Sequence, residues 1–322
     1  MNKLPIFSVL GRAIGFVAGN LLTIVRLSWF PLLLLFAASY FVEKYLMENI
    51  SGLVSIGTPQ DKVGALGDQA FNVLYITWGF LLIQLVITAM VAVALHRIIL
   101  FGERKPGTLI LFSFGKVETL YVLMFIFYIV VIFAVFSIIG FTAALIVGTG
   151  SDLAGHIFNI VPNPRDPRSL YIVIAVGLII FIPIIWFVAR TYVLPPAIVA
   201  TRRFALGDAL GLTKGNVWRV IALNVLAVLF LVALGYAIVK VLPYDMVPPQ
   251  WHLDTYTTGL QPLGTETIRM MQLQQENWIL YTAINYVAAI LSGAFGVGLM
   301  SHSYRALESA DGEPQAAREE AA

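Results

Sequence analysis

Long apolar runs separated by short polar segments dominate the sequence. Five of these runs contain no Asp, Glu, Lys, Arg or His, and a sixth, Leu27–Val42, extends back past Arg26 to about Leu21. A helix needs about 20 mostly apolar residues to cross the ~30 Å hydrocarbon core of a bilayer. The pattern therefore predicts an all-α, polytopic transmembrane helical bundle with six spans, at about residues 21–45, 70–95, 119–147, 169–193, 218–240 and 277–303.

The composition agrees with a membrane protein. Hydrophobic residues make up 59% of the chain and charged residues only 12%, against about 25% charged in soluble domains. Six spans and their connections occupy residues 1–309, which predicts a single transmembrane domain. Residues 310–322 combine small residues with several carboxylates and predict a short, disordered, acidic tail. The net charge of +2 gives no reason to expect nucleic acid as a partner.

The lysines and arginines are distributed unevenly between alternate loops. Fourteen of the 20 lie in the N-terminal segment, between spans 2 and 3, between spans 4 and 5, or after span 6. Positive residues accumulate on the cytoplasmic side of membrane proteins. We therefore predict a multi-pass protein of the bacterial inner membrane with both termini in the cytoplasm.

A short segment of the chain recurs. Gly11–Asn20 aligns without gaps on Gly207–Asn216 with five of ten positions identical, and each copy stands just before an odd-numbered span. A weaker third copy covers residues 112–118. This favours three parallel helical hairpins, each preceded by a cytoplasmic amphipathic helix, with a Gly-Asn pair as the break. The alternative is convergent helix-end chemistry at three points of membrane entrance.

Basic side chains gather where the even-numbered spans end. His96 and Arg97 end span 2, Arg190 ends span 4, and Arg305 follows span 6. Lipid phosphates collect at this level of a bilayer, and guanidinium groups pair well with phosphate. The pattern predicts a lipid-headgroup site of His96, Arg97, Arg190 and Arg305. The alternative is ordinary positive-inside anchoring without a ligand.

Polar residues inside the spans are few. Gln84 and Thr88 share one face of span 2, Asn224 lies in span 5, and Asn285 lies on a polar stripe of span 6. These four residues could line a polar intramembrane path. The alternative is helix–helix packing, because amides and small residues are what close contacts in lipid require.

Two adjacent prolines mark the end of span 4. Pro195 and Pro196 cannot donate helical N–H groups. We expect the chain to leave span 4 here and to run along the membrane to a helix at about residues 205–214.

The sequence contains no arrangement typical of catalysis. No histidine pairs with a carboxylate at metal-ligand spacing, and no serine stands in a nucleophile motif. We therefore expect no enzymatic activity, no metal and no cofactor.

Several short motifs resemble those of a known group. They are Arg190 with residues 194–198, residues 212–216 with Trp218-Arg219, and residues 96–103 at the end of span 2. They look like the poorly characterised six-span bacterial membrane proteins related to the membrane domain that precedes some glycerophosphodiester phosphodiesterases. The resemblance implies an all-helical bundle in the bacterial inner membrane. It implies no activity, because the phosphodiesterase domain and its metal-binding acidic residues are missing, and it supplies no catalytic residues.

The sequence therefore favours a non-enzymatic integral membrane protein. Its expected partners are membrane lipids or other membrane proteins, which it would bind or organise through its basic face. The alternative function is a transporter or permease for a small or amphipathic solute, which would use the polar intramembrane residues.

Overall fold

The computed structural model describes residues 3–54, 59–103, 114–148, 181–241 and 278–309, and within these ranges the chain is helical with no β-strand. Residues 181–190 are helical and are labelled α5. The other helices, in chain order, are α1 (Ile6–Gly19), α2 (Leu21–Val54), α3 (Pro59–Phe101), α4 (Lys116–Gly148), α6 (Leu194–Thr201), α7 (Leu206–Leu212), α8 (Val217–Val241) and α9 (Trp278–Glu308).

Six stretches of helix are long and apolar enough to cross a membrane. They are Leu21–Val42, Phe71–Phe101, Lys116–Ser137, Phe181–Thr201, Val217–Ile238 and Ile279–Glu308. The predicted all-α membrane bundle with six spans is confirmed. Residues 169–180 of the predicted fourth span and the tail at 310–322 lie outside the described residues.

Burial is concentrated at one end of the bundle. The core consists of α1, α6, α7, the last turns of α3, α5 and α9, and the first turns of α2, α4 and α8; we call this the packed end. Further along α4 and α8 the apolar side chains are exposed, for example Phe133 and Val232. Lipid solvates such side chains as well as a protein interior does, so the spans need close packing only where polar groups must be satisfied.

The segment after α5 fills the middle of the packed end. Residues 194–199 are all buried, and α6 packs against α3, α4, α7 and α9. The expectation that this segment runs along the membrane stays a prediction, but its apolar residues are enclosed by protein.

The two prolines make this burial possible. The first N–H groups of a helix have no partner within it, so burying them is costly. Here Leu194 N–H donates to Thr191 O (2.9 Å) and Ala197 N–H donates to Val193 O (3.1 Å). Pro195 and Pro196, between them, have no N–H to satisfy. The helix therefore begins inside the protein without an orphaned donor.

Helix α1 packs mainly along α9. The two backbones approach so closely that a Cβ added at Gly298 would lie 3.4 Å from both Cα and Cβ of Ala13. Small residues permit such an approach between helices. The amphipathic helix is therefore partly a packing element of the bundle.

The chain just before α1 is anchored to the start of α8. Leu4 is fully buried, its N–H donates to Asn216 Oδ1 (2.9 Å) and its carbonyl accepts a hydrogen bond from Arg219 Nη1 (2.9 Å). Asn216, the last residue of the second copy of the repeat, and Arg219, in the first turn of α8, thus hold the main chain ahead of the first copy.

The two copies of the repeat share the position of the break. A span begins directly after Asn20 and directly after Asn216, but the helix before it has 14 residues in α1 and only seven in α7. The third copy lies partly outside the described residues. In the first pair of spans, α2 packs along α3, and α3 also contacts α4, α6 and α9. The arrangement as three parallel hairpins stays a prediction.

We expect Gly298→Leu to destabilise the docking of α1. The larger side chain would collide with Ala13, and such overpacking typically costs about 1–3 kcal/mol. The thermal unfolding midpoint in detergent should fall. Gly293→Leu on the same helix is the matched control, because an added Cβ at Gly293 meets no atom within 4 Å. Equal effects of the two substitutions would contradict the close approach.

We expect Asn216→Ala to loosen the N-terminal anchor. The substitution leaves the buried N–H of Leu4 without its acceptor, which costs about 1–3 kcal/mol. Thermal unfolding and protease cleavage near residue 4 should both show the change. Asn20→Ala, at the matching position of the repeat, is the control, since Asn20 Nδ2 donates only to Phe16 O of its own helix turn. A larger effect at Asn20 would disprove the assignment.

Candidate functional site

His96 lies inside the packed end and links three helices. Its Nδ1 is 2.6 Å from Ser301 Oγ on α9, and its Nε2 is 3.1 Å from Tyr121 Oη on α4. All three side chains are almost completely buried. Either neutral tautomer satisfies both contacts: one nitrogen accepts from a hydroxyl group while the other donates to the second hydroxyl oxygen. His96 therefore serves as a buried connection and does not present its ring to a headgroup in this structure.

The next residue, Arg97, makes the second link between α3 and α4. Arg97 Nη2 lies 3.7 Å from Glu118 Oε1, and the carboxylate is almost fully buried. Glu118 Oε2 also accepts the N–H of Gly115 (3.0 Å), as a residue in the first turn of a helix does in a capping box. The ion pair thus connects the end of α3 to the first turn of α4. Part of the Arg97 side chain stays exposed.

Arg305 is an exposed residue whose guanidinium group is held by main chain. Its Nη1 donates to Ile99 O (3.1 Å), one of the last carbonyls of α3. A cation at a helix C-terminus is favourable because unsatisfied carbonyls carry partial negative charge there. A guanidinium group has five N–H donors, so this contact leaves most of its donors for other partners.

Arg190 lies apart from the end of α3, at the last residue of α5. Its guanidinium carbon is 5.7 Å from the ring centroid of Trp186, and its carbonyl accepts the hydroxyl hydrogen of Thr213 (2.7 Å). Its Nε is buried and has no hydrogen-bond partner. The structure therefore brings His96, Arg97 and Arg305 around the end of α3 and places Arg190 at another helix end.

Two basic residues outside the predicted set stand beside Arg305. His302 lies one helical turn before it on α9, and Arg12 lies on α1 next to Ala13. Both guanidinium groups are close enough to act electrostatically on the His302 ring. The sequence shows two basic residues, His302 and Arg305, at the end of α9, so His302 could have been predicted. Arg12 could not, because only the packing of α1 on α9 brings it near these residues.

The predicted polar intramembrane residues are spread over three helices. Gln84 and Thr88 are exposed on α3, and Asn285 is half-buried on α9. Asn224 on α8 donates from Nδ2 to Val220 O (2.8 Å), one turn earlier in its own helix. A path along these residues stays a prediction, as does the headgroup site.

The comparisons give no relative for this chain. No protein-family model, curated protein or solved structure matches it. Among the described residues no group of three or more His, Cys, Asp or Glu could hold a metal ion. The resemblance drawn from the sequence motifs therefore stays a prediction.

We expect Ser301→Ala to destabilise the packed end. One nitrogen of the buried His96 would lose its partner, and an unsatisfied buried polar group costs about 1–3 kcal/mol. Ser292→Ala is the matched control on the same helix, because Ser292 Oγ bonds only to Ala289 O. Thermal unfolding of both variants checks this. The assignment fails if Ser301→Ala is as stable as the control.

Proposed function

We propose that this protein is a non-enzymatic integral membrane protein that binds and organises anionic lipids at its packed end. In this proposal it lies in the bacterial inner membrane, with the packed end and both termini facing the cytoplasm. The single observation that carries the proposal is the coincidence, at one end of the bundle, of exposed basic side chains with exposed aromatic ones.

Exposed positive charge is concentrated at this end. Two ion pairs occur among the described residues, Arg97–Glu118 and Arg203–Asp208, and they leave most of the cations without a carboxylate. At the packed end, the described and exposed basic residues outside those pairs are Lys3, Arg12, Arg26, Lys116, Arg202, Lys214 and Arg305, whereas the other end has Lys44 and Lys240. Basic side chains near a membrane surface attract anionic lipids by about 1 kcal/mol each.

Aromatic side chains mark the same level. Phe7 at the start of α1 and Trp218 at the start of α8 are each 79% exposed. Tryptophan is enriched at membrane–water interfaces because it has a large apolar ring and one polar N–H. An amphipathic helix such as α1 also places its apolar side chains at the boundary between headgroups and acyl chains. These features support a packed end that sits at the headgroup level.

The orientation and location rest on the loop charges and on the motif resemblance. The positive-inside rule assigns the basic end to the cytoplasm. The six-span bacterial proteins that the motifs resemble imply the inner membrane. Among the described residues, Ser301 and His96 lie at hydrogen-bonding distance but are both fully buried, which supports a non-enzymatic role for this pair.

The proposal predicts selective retention of anionic lipid. In nanodiscs of mixed phosphatidylglycerol and phosphatidylcholine, native mass spectrometry should show phosphatidylglycerol enriched among the lipids that remain bound. Changing Arg26, Arg202 and Lys214 together to Gln should weaken this selectivity by roughly a hundredfold at most, from about 1 kcal/mol per charge.

The matched control removes three charges from the opposite end. Changing Lys44, Lys62 and Lys240 together to Gln should leave most of the selectivity in place. Bound lipid in bulk proportions for the unchanged protein would overturn the proposal. In that case the transporter reading would be tested next, by uptake assays on Gln84→Leu and Asn285→Leu.

A further inference from the structure

We infer that α1 and α9 together form a specific site for one phosphate group, built from Arg12, His302 and Arg305. This inference rests on the proposed function and deepens it, because it assigns a ligand class and a place to lipid binding. The surface proposed above would attract any anionic lipid, whereas this site recognises the phosphate itself.

The backbone packing fixes the three side chains as a group. Gly298 on α9 approaches Ala13 on α1 so closely that an added Cβ would touch it at 3.4 Å. Arg12 directly precedes Ala13, and His302 lies four residues after Gly298, on the same face of its helix. The close approach therefore brings the Arg12 and His302 positions to the same helix contact, and Arg12 is near enough to act electrostatically on the His302 ring.

Arg305 completes the group from α9. It follows His302 by three residues and so shares its side of the helix. The hydrogen bond from Nη1 to Ile99 O (3.1 Å) restrains the guanidinium group. A restrained guanidinium fork loses less freedom when it binds a phosphate oxygen, and it can donate two parallel hydrogen bonds.

The group is positively charged and incompletely bonded. Arg12 and Arg305 both act on the His302 ring, and His302 Nε2 is buried without a hydrogen-bond partner. Three described carboxylates of this end have other contacts: Glu118 with Arg97, Asp208 with Arg203, and Glu308 with the Tyr304 hydroxyl (3.1 Å). Two cations thus act on one imidazole ring, and a bound anion would offset their positive charge.

A phosphate monoester fits this group best. Two guanidinium forks and one imidazole N–H supply several donors, which is more than a carboxylate can accept from one side. A monoester carries more charge than a phosphodiester near neutral pH and presents three terminal oxygens. Phe7, on the same helix as Arg12, is exposed and could contact an acyl chain. The ligand class is therefore a lipid with a terminal phosphate, such as phosphatidic acid, or a free phosphate.

The test measures binding to the full chain in detergent with four short-chain or soluble probes. These are dihexanoyl phosphatidic acid, dihexanoyl phosphatidylglycerol, octanoate and inorganic phosphate. We expect saturable binding of one phosphatidic acid per chain, at least tenfold tighter than phosphatidylglycerol and tighter still than octanoate. Inorganic phosphate binding as tightly as phosphatidic acid would support the site but assign it to free phosphate; much weaker binding would assign it to the lipid.

Variants connect the binding to the three residues. Arg12→Gln changes an exposed side chain and should weaken phosphatidic acid binding about tenfold or more, as expected for a lost charged hydrogen bond. His302→Gln should also weaken it, and Arg305→Lys should restore only part of what Arg305→Gln loses. Lys240→Gln, which removes an exposed charge from the opposite end of the bundle, is the control and should bind normally.

Failure of the site and failure of the proposed function are distinguishable. Equal binding of all anionic probes, unchanged by Arg12→Gln and His302→Gln, would overturn the site while leaving general anionic-lipid binding in place. Bound lipid in bulk proportions in the nanodisc experiment would overturn the proposed function. Unchanged thermal unfolding of Arg12→Gln without ligand would confirm that lost binding is not lost folding.

Discussion

The structure depends on satisfying main-chain hydrogen-bonding groups where helices begin and end inside the protein. Lipid offers no partners for such groups, so a buried helix end must find them in the chain itself. The packed end does this in three ways: α6 begins at two prolines, Glu118 accepts the N–H of Gly115, and Asn216 accepts the N–H of Leu4. The remaining length of the spans is helical throughout its described part and needs no comparable arrangement.

This requirement explains why polar side chains collect at one end. His96, Ser301 and Tyr121 satisfy one another between three helices, and Thr213 and Tyr128 each donate to a main-chain carbonyl at the break between α5 and α6. Groups of this kind fix one arrangement of the helices, because a shifted helix would leave several of them unpaired. The apolar contacts further along the spans discriminate much less between alternative helix arrangements. A side chain that loses such a contact is solvated by lipid instead.

The sequence was sufficient for the spans but not for the contacts between their ends. A span is recognised from about 20 consecutive residues, so the six helices and the break at Asn216 were predictable. The burial of residues 194–199 was not, because two prolines after a span equally suggest a chain leaving the membrane. The sequence likewise predicts His96 to be a cation at the membrane interface, because it follows a long apolar run. Its partners, Ser301 and Tyr121, are brought to it only by the packing of α9 and α4.

The arginines of the packed end show how one residue type serves the fold and the proposed surface together. Arg219 and Arg305 each donate one hydrogen bond to a main-chain carbonyl, which a neutral donor could also do. An arginine adds a full charge that is not cancelled by the carbonyl, so every such contact brings positive charge to the packed end. Carboxylates would cancel this charge, yet those described at this end are few. The same contacts that close the helix ends therefore add to the positive charge of this end, for which anionic headgroups would be the counter-ions in the proposed function.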